Sequence, residues 1–183
     1  QQLLRLDEED ASPLRNDATK ELIDRASRRI TPCDVVCIED YDKGLVSERL
    51  VQSVVREAQR HGRPVLVDPA RLNDYSRYRG ADIVTPNRDE LSIVTQRPCD
   101  SVEAVSAAAQ VALETYGFRA VVATVDRDGA VLVERGLSPK HLPTVPRTVY
   151  DNTGAGDAVL AILSAALAAG ADLVSATRLA NVA

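Results

Sequence analysis

Two glycines and an acid stand where an apolar run begins near the end of this chain: Asp151-Asn152-Thr153-Gly154-Ala155-Gly156-Asp157, then Ala158 to Leu163. Glycine lets backbone come close to a ligand, and the free N–H groups of a helix's first turn, backed by its dipole, attract phosphate oxygens. Asp157 then lies within reach of the bound anion. Phosphate repels a carboxylate, so anion binding alone does not favour an acid there; taking a proton from an attacking hydroxyl does. The plainer alternative is a helix entered through a glycine turn with an acidic first-turn residue. The run continues through Ala165, Ala166 and Leu167 to Gly170 and is apolar nearly all round. That predicts a helix buried inside a domain, and one too short and alanine-rich for a membrane span.

The elements that must hold this loop are an alternation of short β-branched runs and amphipathic stretches, which reads as βαβ. Val35 to Ile38 is predicted as a buried strand. Ser47 is placed to cap a helix whose Leu50, Val51, Val54, Val55 and Ala58 share one face, ended by His61-Gly62. Val65 to Val67 is the next strand and delivers Asp68 and Pro69 to its end; Ala81 to Val84 does the same for Thr85, Pro86 and Asn87. A short helix follows Asn87. Ser101 caps a longer one through Tyr116, with Val102, Val105, Ala109, Ala112 and Leu113 inward and Gly117 as the stop. Ala120 to Thr124 is a further strand, and Asp128-Gly129 turns the chain into an antiparallel partner at Ala130 to Val133. Ahead of all this, Leu3 to Leu6 suggest a strand, and a polar helix is predicted from Asp17 to about Ile30. Such a pattern implies an α/β fold with a mainly parallel sheet covered by helices on both faces. Ligands of such sheets sit outside the strands' carboxyl ends. That edge receives Asp40, Asp68, Asn87, Thr124 and the glycine loop.

Composition narrows the function. At 183 residues, with 45% hydrophobic and 27% charged residues, the chain is long enough for one domain with a real core. A net charge of -5 argues against a general nucleic-acid or membrane-surface binder. No secretory or membrane-spanning segment is evident, which reads as cytoplasmic. Cys33, Cys37 and Cys99 lack zinc-ligand spacing, and Cys33 and Cys37 are expected as buried free thiols. His61 and His141 have no Ser or Cys partner at a motif. Methionine is absent, and the run from Leu173 to Ala183 stops amid a helical pattern. The expectation is an interior fragment, truncated at both ends.

Asp151 to Asp157, joined to Asn87-x-x-Glu90 and to Thr124 with a downstream Gly129, resembles the ribokinase-like (PfkB) carbohydrate kinase family. The resemblance spans most of the chain. Within the family, Gln1 to Asp7, Asp40-Tyr41-Asp42-Lys43-Gly44, Val67-Asp68-Pro69 and Thr85-Pro86-Asn87 look most like the heptose 7-phosphate kinase domain of bifunctional heptose kinase/adenylyltransferases. The resemblance implies that Asp157 deprotonates a sugar hydroxyl while the backbone of Gly154, Ala155 and Gly156 stabilises the transferring phosphoryl group. It implies that Asn87 and Glu90 order magnesium and its waters near ATP, against the plainer readings of a helix cap and a solvated acid. Thr124, Gly129 and Asn181 would lie around the nucleotide; otherwise Thr124 and Gly129 are simply a strand end and a turn. Asp126 stands where the family usually has glycine and puts a negative charge near the expected phosphates, which questions ATP affinity. Asp40, Lys43 and Asp68 would meet the substrate, Lys43 at its phosphate, unless they are salt-bridged surface groups. Asp151 and Thr153 match a monovalent-cation site of ribokinases.

The resemblance divides the one incomplete domain into residues 1–31, the end of an upstream lid or substrate region with its connecting helix, and residues 32–183, the nucleotide-binding and catalytic core. The implied partners are a sugar phosphate and ATP, with a homodimer and a fused nucleotidyltransferase domain left open. The family's sugar-binding amino-terminal half is absent, so the 183 residues alone are expected to show no appreciable phosphorylation. Two rival readings stand beside the heptose kinase: another sugar or nucleoside kinase of the family, and a non-catalytic nucleotide-binding or interaction remnant. A dinucleotide-dependent dehydrogenase fits less well, since no G-x-G-x-x-G follows an early strand.

Overall fold

The structure, a computed structural model, describes residues 11–144 and 154–181. The predicted strand at Leu3 to Leu6 lies outside those residues, as do Asp151 and Thr153.

Six strands form one sheet in simple sequence order: β1 (Val36–Glu39), β2 (Val65–Asp68), β3 (Ile83–Val84), β4 (Ala120–Thr124), β5 (Ala130–Glu134) and β6 (Lys140–Leu142). β1 to β4 run parallel, and β4, β5 and β6 pair antiparallel. The helices are α1 (Asn16–Ile30), α2 (Glu48–Arg60), α3 (Arg88–Thr95), α4 (Val102–Tyr116), α5 (Ala155–Ala168) and α6 (Leu173–Ala180). Strand side chains alternate between faces, and the two cores follow that period of two. Val65, Val67, Val121, Ala123, Val131 and Val133 pack with α1 to α4; Leu66, Ala120, Val122, Ala130 and Leu132 pack with α5 and α6. Helices therefore cover both faces, as the near-continuous apolar strands require.

Local signals set most boundaries. Ser47 Oγ accepts from Leu50 N at 3.3 Å, and Ser101 Oγ accepts from Ala104 N at 3.1 Å. Gly117 ends α4 in the left-handed region at φ +79°. The expected inward faces of α2 and α4 are buried, Val102 only partly.

Several expectations are corrected. β1 is half-buried rather than buried: it ends the described sheet with a partner on one side only, and Cys37 is exposed. Cys33 is likewise only partly buried, its thiol donating to Arg29 O at 2.9 Å, while Cys99 is buried. α5 is not buried all round. Leu160, Leu163 and Ala166 face the sheet, while Ala161, Ala165 and Ala168 are exposed. Alanine makes a helix read as apolar yet costs little to leave in water. The strand expected from Ala81 holds only Ile83 and Val84 in the ladder, and β6 lacks a strong apolar signal, with Leu142 its single buried residue.

The turn from β4 to β5 depends on Gly129, whose φ is +97°. A Cβ there would lie 2.2 Å from Leu142 O and 2.6 Å from Thr144 N. Gly129→Ala should therefore destabilise the protein by about 2–4 kcal/mol, through strain and through separation of β6 from the turn. Thermal and urea unfolding check this, and a loss under about 0.5 kcal/mol would show that the turn yields instead.

Candidate active site

Parallel pairing brings the carboxyl ends of β1, β2 and β3 to one edge, and α5 begins there. Gly154 caps the helix at φ +80°, a conformation that glycine adopts without strain, and has no side chain with which to cap the first turn. The early N–H groups of a helix have no partner within it, so this turn presents donors at the sheet edge. At Gly156 the helix passes beside β2: a Cβ there would make an ordinary contact, 3.4 Å from Asp68 Oδ2.

That approach sets Asp157 beside the acids that end β1 and β2. Carboxylate oxygens of Glu39, Asp68 and Asp157 all lie within 4.8 Å of one another. Asp68 is the most enclosed; burial pushes its carboxyl up to about 6, against a hydrogen bond from Thr85 at 2.7 Å, with the Glu39 and Asp157 charges adding to the rise. At Glu39 the Tyr41 hydroxyl pulls downward, but Asp157 and burial outweigh it and raise the group. Tyr41 donates to Glu39 Oε1 and lies 3.2 Å from Asp157 Oδ1. Glu39 and Tyr41 escaped sequence reasoning; the available signal was their i, i+2 spacing at a strand end, which puts both on one face.

The other expected residues divide. Asp40 reaches the edge but its carboxylate turns inward: Oδ2 accepts from Tyr78 Oη at 2.6 Å and pairs with Arg77 at 3.1 Å, while Oδ1 accepts from Asp42 N at 2.8 Å. It is a buried anchor for the β1 loop, so the salt-bridged alternative for this residue is realised, in the interior rather than at the surface. Tyr78 Oη also accepts from Ala70 N at 3.1 Å and so ties the loop after β2 to the same point. Lys43 lies in the exposed segment that follows. Asp40, Tyr41, Asp68, Arg71 and Glu90 line a cleft of about 350 Å³. A larger apolar groove of about 420 Å³ runs between α1, β1 and α2, away from Asp157.

Asn87 and Glu90 form a reciprocal cap on α3. Asn87 Oδ1 accepts from Glu90 N, and Glu90 Oε2 accepts from Asn87 N, both at 2.9 Å. The capping reading of Asn87 is thus realised, and Glu90 is half-buried rather than a solvated acid, its carboxyl raised chiefly by burial. Beyond β3, Asn87 bridges to Thr124, so the loop before α3 and the end of β4 stay adjacent. Asp126 adopts φ +53°, a left-handed backbone that suits glycine better, and Arg88 meets its charge at 3.2 Å. Arg88 also pairs with Asp128 at 3.2 Å. The isolated negative charge expected from Asp126 is therefore offset by a residue that sequence reasoning passed over. Asn181 stands behind Gly129, its Nδ2 donating to Leu142 O at 2.9 Å.

Residues 11–183 match the pfkB family of carbohydrate kinases. The chain belongs to that family. Bifunctional protein HldE of Paramagnetospirillum magneticum is 44% identical across the whole chain, and its counterpart in Trichlorobacter lovleyi is 40% identical. The pfkB chain spans 37% of the length of each. Among solved structures it is similar in fold to Arabidopsis thaliana ribokinase complexed with ribose and ATP, at 22% identity and a TM-score of 0.71, over 93% of this chain and 52% of that one. Escherichia coli phosphofructokinase-2 in complex with potassium gives 22% identity and a TM-score of 0.78, over 92% of this chain and 54% of that one. The fold is ribokinase-like, with a mixed sheet.

Kinases of this fold bind ATP and a metal. The donor set on this edge fits a hard divalent cation, because Glu39, Asp68 and Asp157 offer carboxylate oxygens close to one another. Burial of Asp68, with these acids beside it, has a measurable cost without metal. The ordinary Asp68 value is 3.8, so the folded state holds this proton more tightly than the unfolded chain. Its contribution to stability is fully present below about pH 4 and is lost as pH rises through about 6. Asp68→Asn keeps an oxygen for Thr85 and removes the charge. In chelator-containing buffer it should melt higher than the parent at about pH 8, with the difference closing towards pH 4. A variant no more stable than the parent at pH 8 contradicts the assignment.

Proposed function

We propose that this chain carries the catalytic part of an ATP-dependent kinase that phosphorylates a hydroxyl of a sugar phosphate, converting heptose 7-phosphate to heptose 1,7-bisphosphate. The observation that carries the proposal is the position of Asp157, in the first turn of a helix that opens through Gly154 onto the carboxyl edge of the sheet. Membership of a carbohydrate kinase family supports phosphoryl transfer. Likeness of the Asp40 to Gly44, Val67 to Pro69 and Thr85 to Asn87 segments to heptose 7-phosphate kinases supports the choice of sugar.

The chemistry follows from the geometry. The substrate hydroxyl oxygen bonds to the γ-phosphorus of ATP, the bond to the ADP oxygen breaks, and Asp157 takes the hydroxyl proton. The N–H groups of Gly154, Ala155 and Gly156 would face the charge that spreads over the transferring oxygens, and because the start of the helix holds them in place they need no reorganisation during the step. Asn87 and Glu90 would hold magnesium through its waters, where it would neutralise phosphate charge. Thr124, Gly129 and Asn181 frame the nucleotide end, with Arg88 cancelling the Asp126 charge there. Lys43 is the cation for the sugar's own phosphate, and Asp151 with Thr153 supplies oxygens for a monovalent cation. The reaction fits a cytoplasmic enzyme; among the described residues no helix is long and apolar enough to cross a membrane.

In protein expressed from the whole reading frame, Asp157→Asn should lower kcat by roughly 10²–10⁴ while ATP affinity survives, because asparagine keeps the shape and loses the base. Turnover with saturating magnesium and both substrates, alongside calorimetric ATP binding, checks this. Turnover within a few-fold of the parent would reduce Asp157 to a helix-start residue.

A further inference from the structure

The strand that ends at Glu39 carries more than one contact to α5. Alternation along β1 sends Val36 and Ile38 to the core under α1 to α4, and sends Cys37 and Glu39 to the face where α5 lies. Cys37 Sγ donates to Ser164 Oγ at 2.8 Å, and two positions beyond Glu39 on the same face the Tyr41 hydroxyl lies 3.2 Å from Asp157 Oδ1. From Cys37 to Tyr41 the chain advances about 13 Å, and from Asp157 to Ser164 the helix rises about 10.5 Å. The two contacts therefore register α5 against β1 at both ends of the strand. Between Glu39 and Tyr41, Asp40 is locked inward on Tyr78 and Arg77, which turns Tyr41 outward over Asp157.

Tyr41 is 61% exposed, so core packing does not account for its place. Its one hydroxyl proton lies between Glu39 Oε1 and Oδ1 of the one carboxylate that the kinase reading needs as a base. We propose that Tyr41 is a positioning residue for Asp157: its single hydroxyl proton, within reach of both Glu39 Oε1 and Asp157 Oδ1, turns to Oδ1 in the working state and holds that oxygen so that Oδ2 is presented to the substrate hydroxyl that loses its proton. Hydrogen bonds to charged carboxylates are among the stronger ones, and small misplacements of a reacting group slow a step steeply. The inference rests on the kinase reading of Asp157 and adds a residue to it that no motif assigns.

Steady-state kinetics on protein from the whole reading frame test this, with ATP and heptose 7-phosphate. Tyr41→Phe keeps the ring, removes the hydroxyl and leaves the core untouched; it should lower kcat roughly tenfold while KM for ATP stays within about twofold. In the Asp157→Asn background the same change should cost less than about twofold, because Tyr41 acts through that carboxylate. A parent-like kcat for Tyr41→Phe, or a tenfold loss repeated on top of Asp157→Asn, overturns the proposal. A second measurement reads the contact without turnover. With isotope-labelled tyrosine assigned by means of Tyr41→Phe, the Tyr41 ζ-carbon resonance should shift on Asp157→Asn, and an unmoved resonance overturns the contact. Parent-like turnover of Asp157→Asn together with a shifted resonance would instead reject the kinase role of Asp157 and keep the contact.

Discussion

The close seating of the α5 N-terminus on the ends of β1 and β2 is the constraint on which the site depends. Gly154 permits it by capping the helix in the left-handed region, and α5 then passes close enough to β2 for the Gly156 position to lie beside Asp68. Once the helix starts at that point, its donors face the sheet edge and Asp157 has no position except beside Glu39 and Asp68. Everything else arranges the surroundings. Tyr78 and Arg77 fasten Asp40 and the loop after β1, Thr85 fastens Asp68, and the cap between Asn87 and Glu90 fixes the start of α3.

Such an arrangement opposes stability. Three carboxylates within 4.8 Å repel one another, and two of them are pushed above their ordinary range. A fold selected only for stability would replace one of them. The cluster suits the proposed kinase site, in which a metal would bring positive charge to these carboxylates and Asp157 would take a proton. Arg88 shows the same economy at the other end of the edge, where it meets the charge of Asp126 in a backbone conformation that glycine would fill more easily.

Much of this was legible from periodicity and caps. Ser47, Ser101 and Asn87 mark helix starts because their side-chain oxygens have one good use there, and alternating strand residues announce two cores. The glycine-opened helix and the acids at the strand ends were readable for the same reason. Other features were not. The exposure of Cys37 depends on β1 lying at the end of the described sheet, which no local pattern encodes. The inward turn of Asp40 depends on Tyr78 and Arg77, 38 and 37 positions away. The pairing of Arg88 with Asp126 likewise joins residues 38 apart, so a charge read in isolation seemed unopposed. Tyr41 carried no site signal of its own because its partner on α5 lies 116 positions downstream.

The central claim is that this edge transfers a phosphoryl group from ATP to a sugar phosphate. Phosphorus NMR of protein from the whole reading frame, incubated with ATP, magnesium and heptose 7-phosphate, tests it most directly. The account predicts loss of the ATP γ-phosphate signal matched by a new phosphate ester on the anomeric oxygen of the sugar, with the original 7-phosphate resonance retained. Release of inorganic phosphate without a new ester, or ATP left unconsumed, would contradict it.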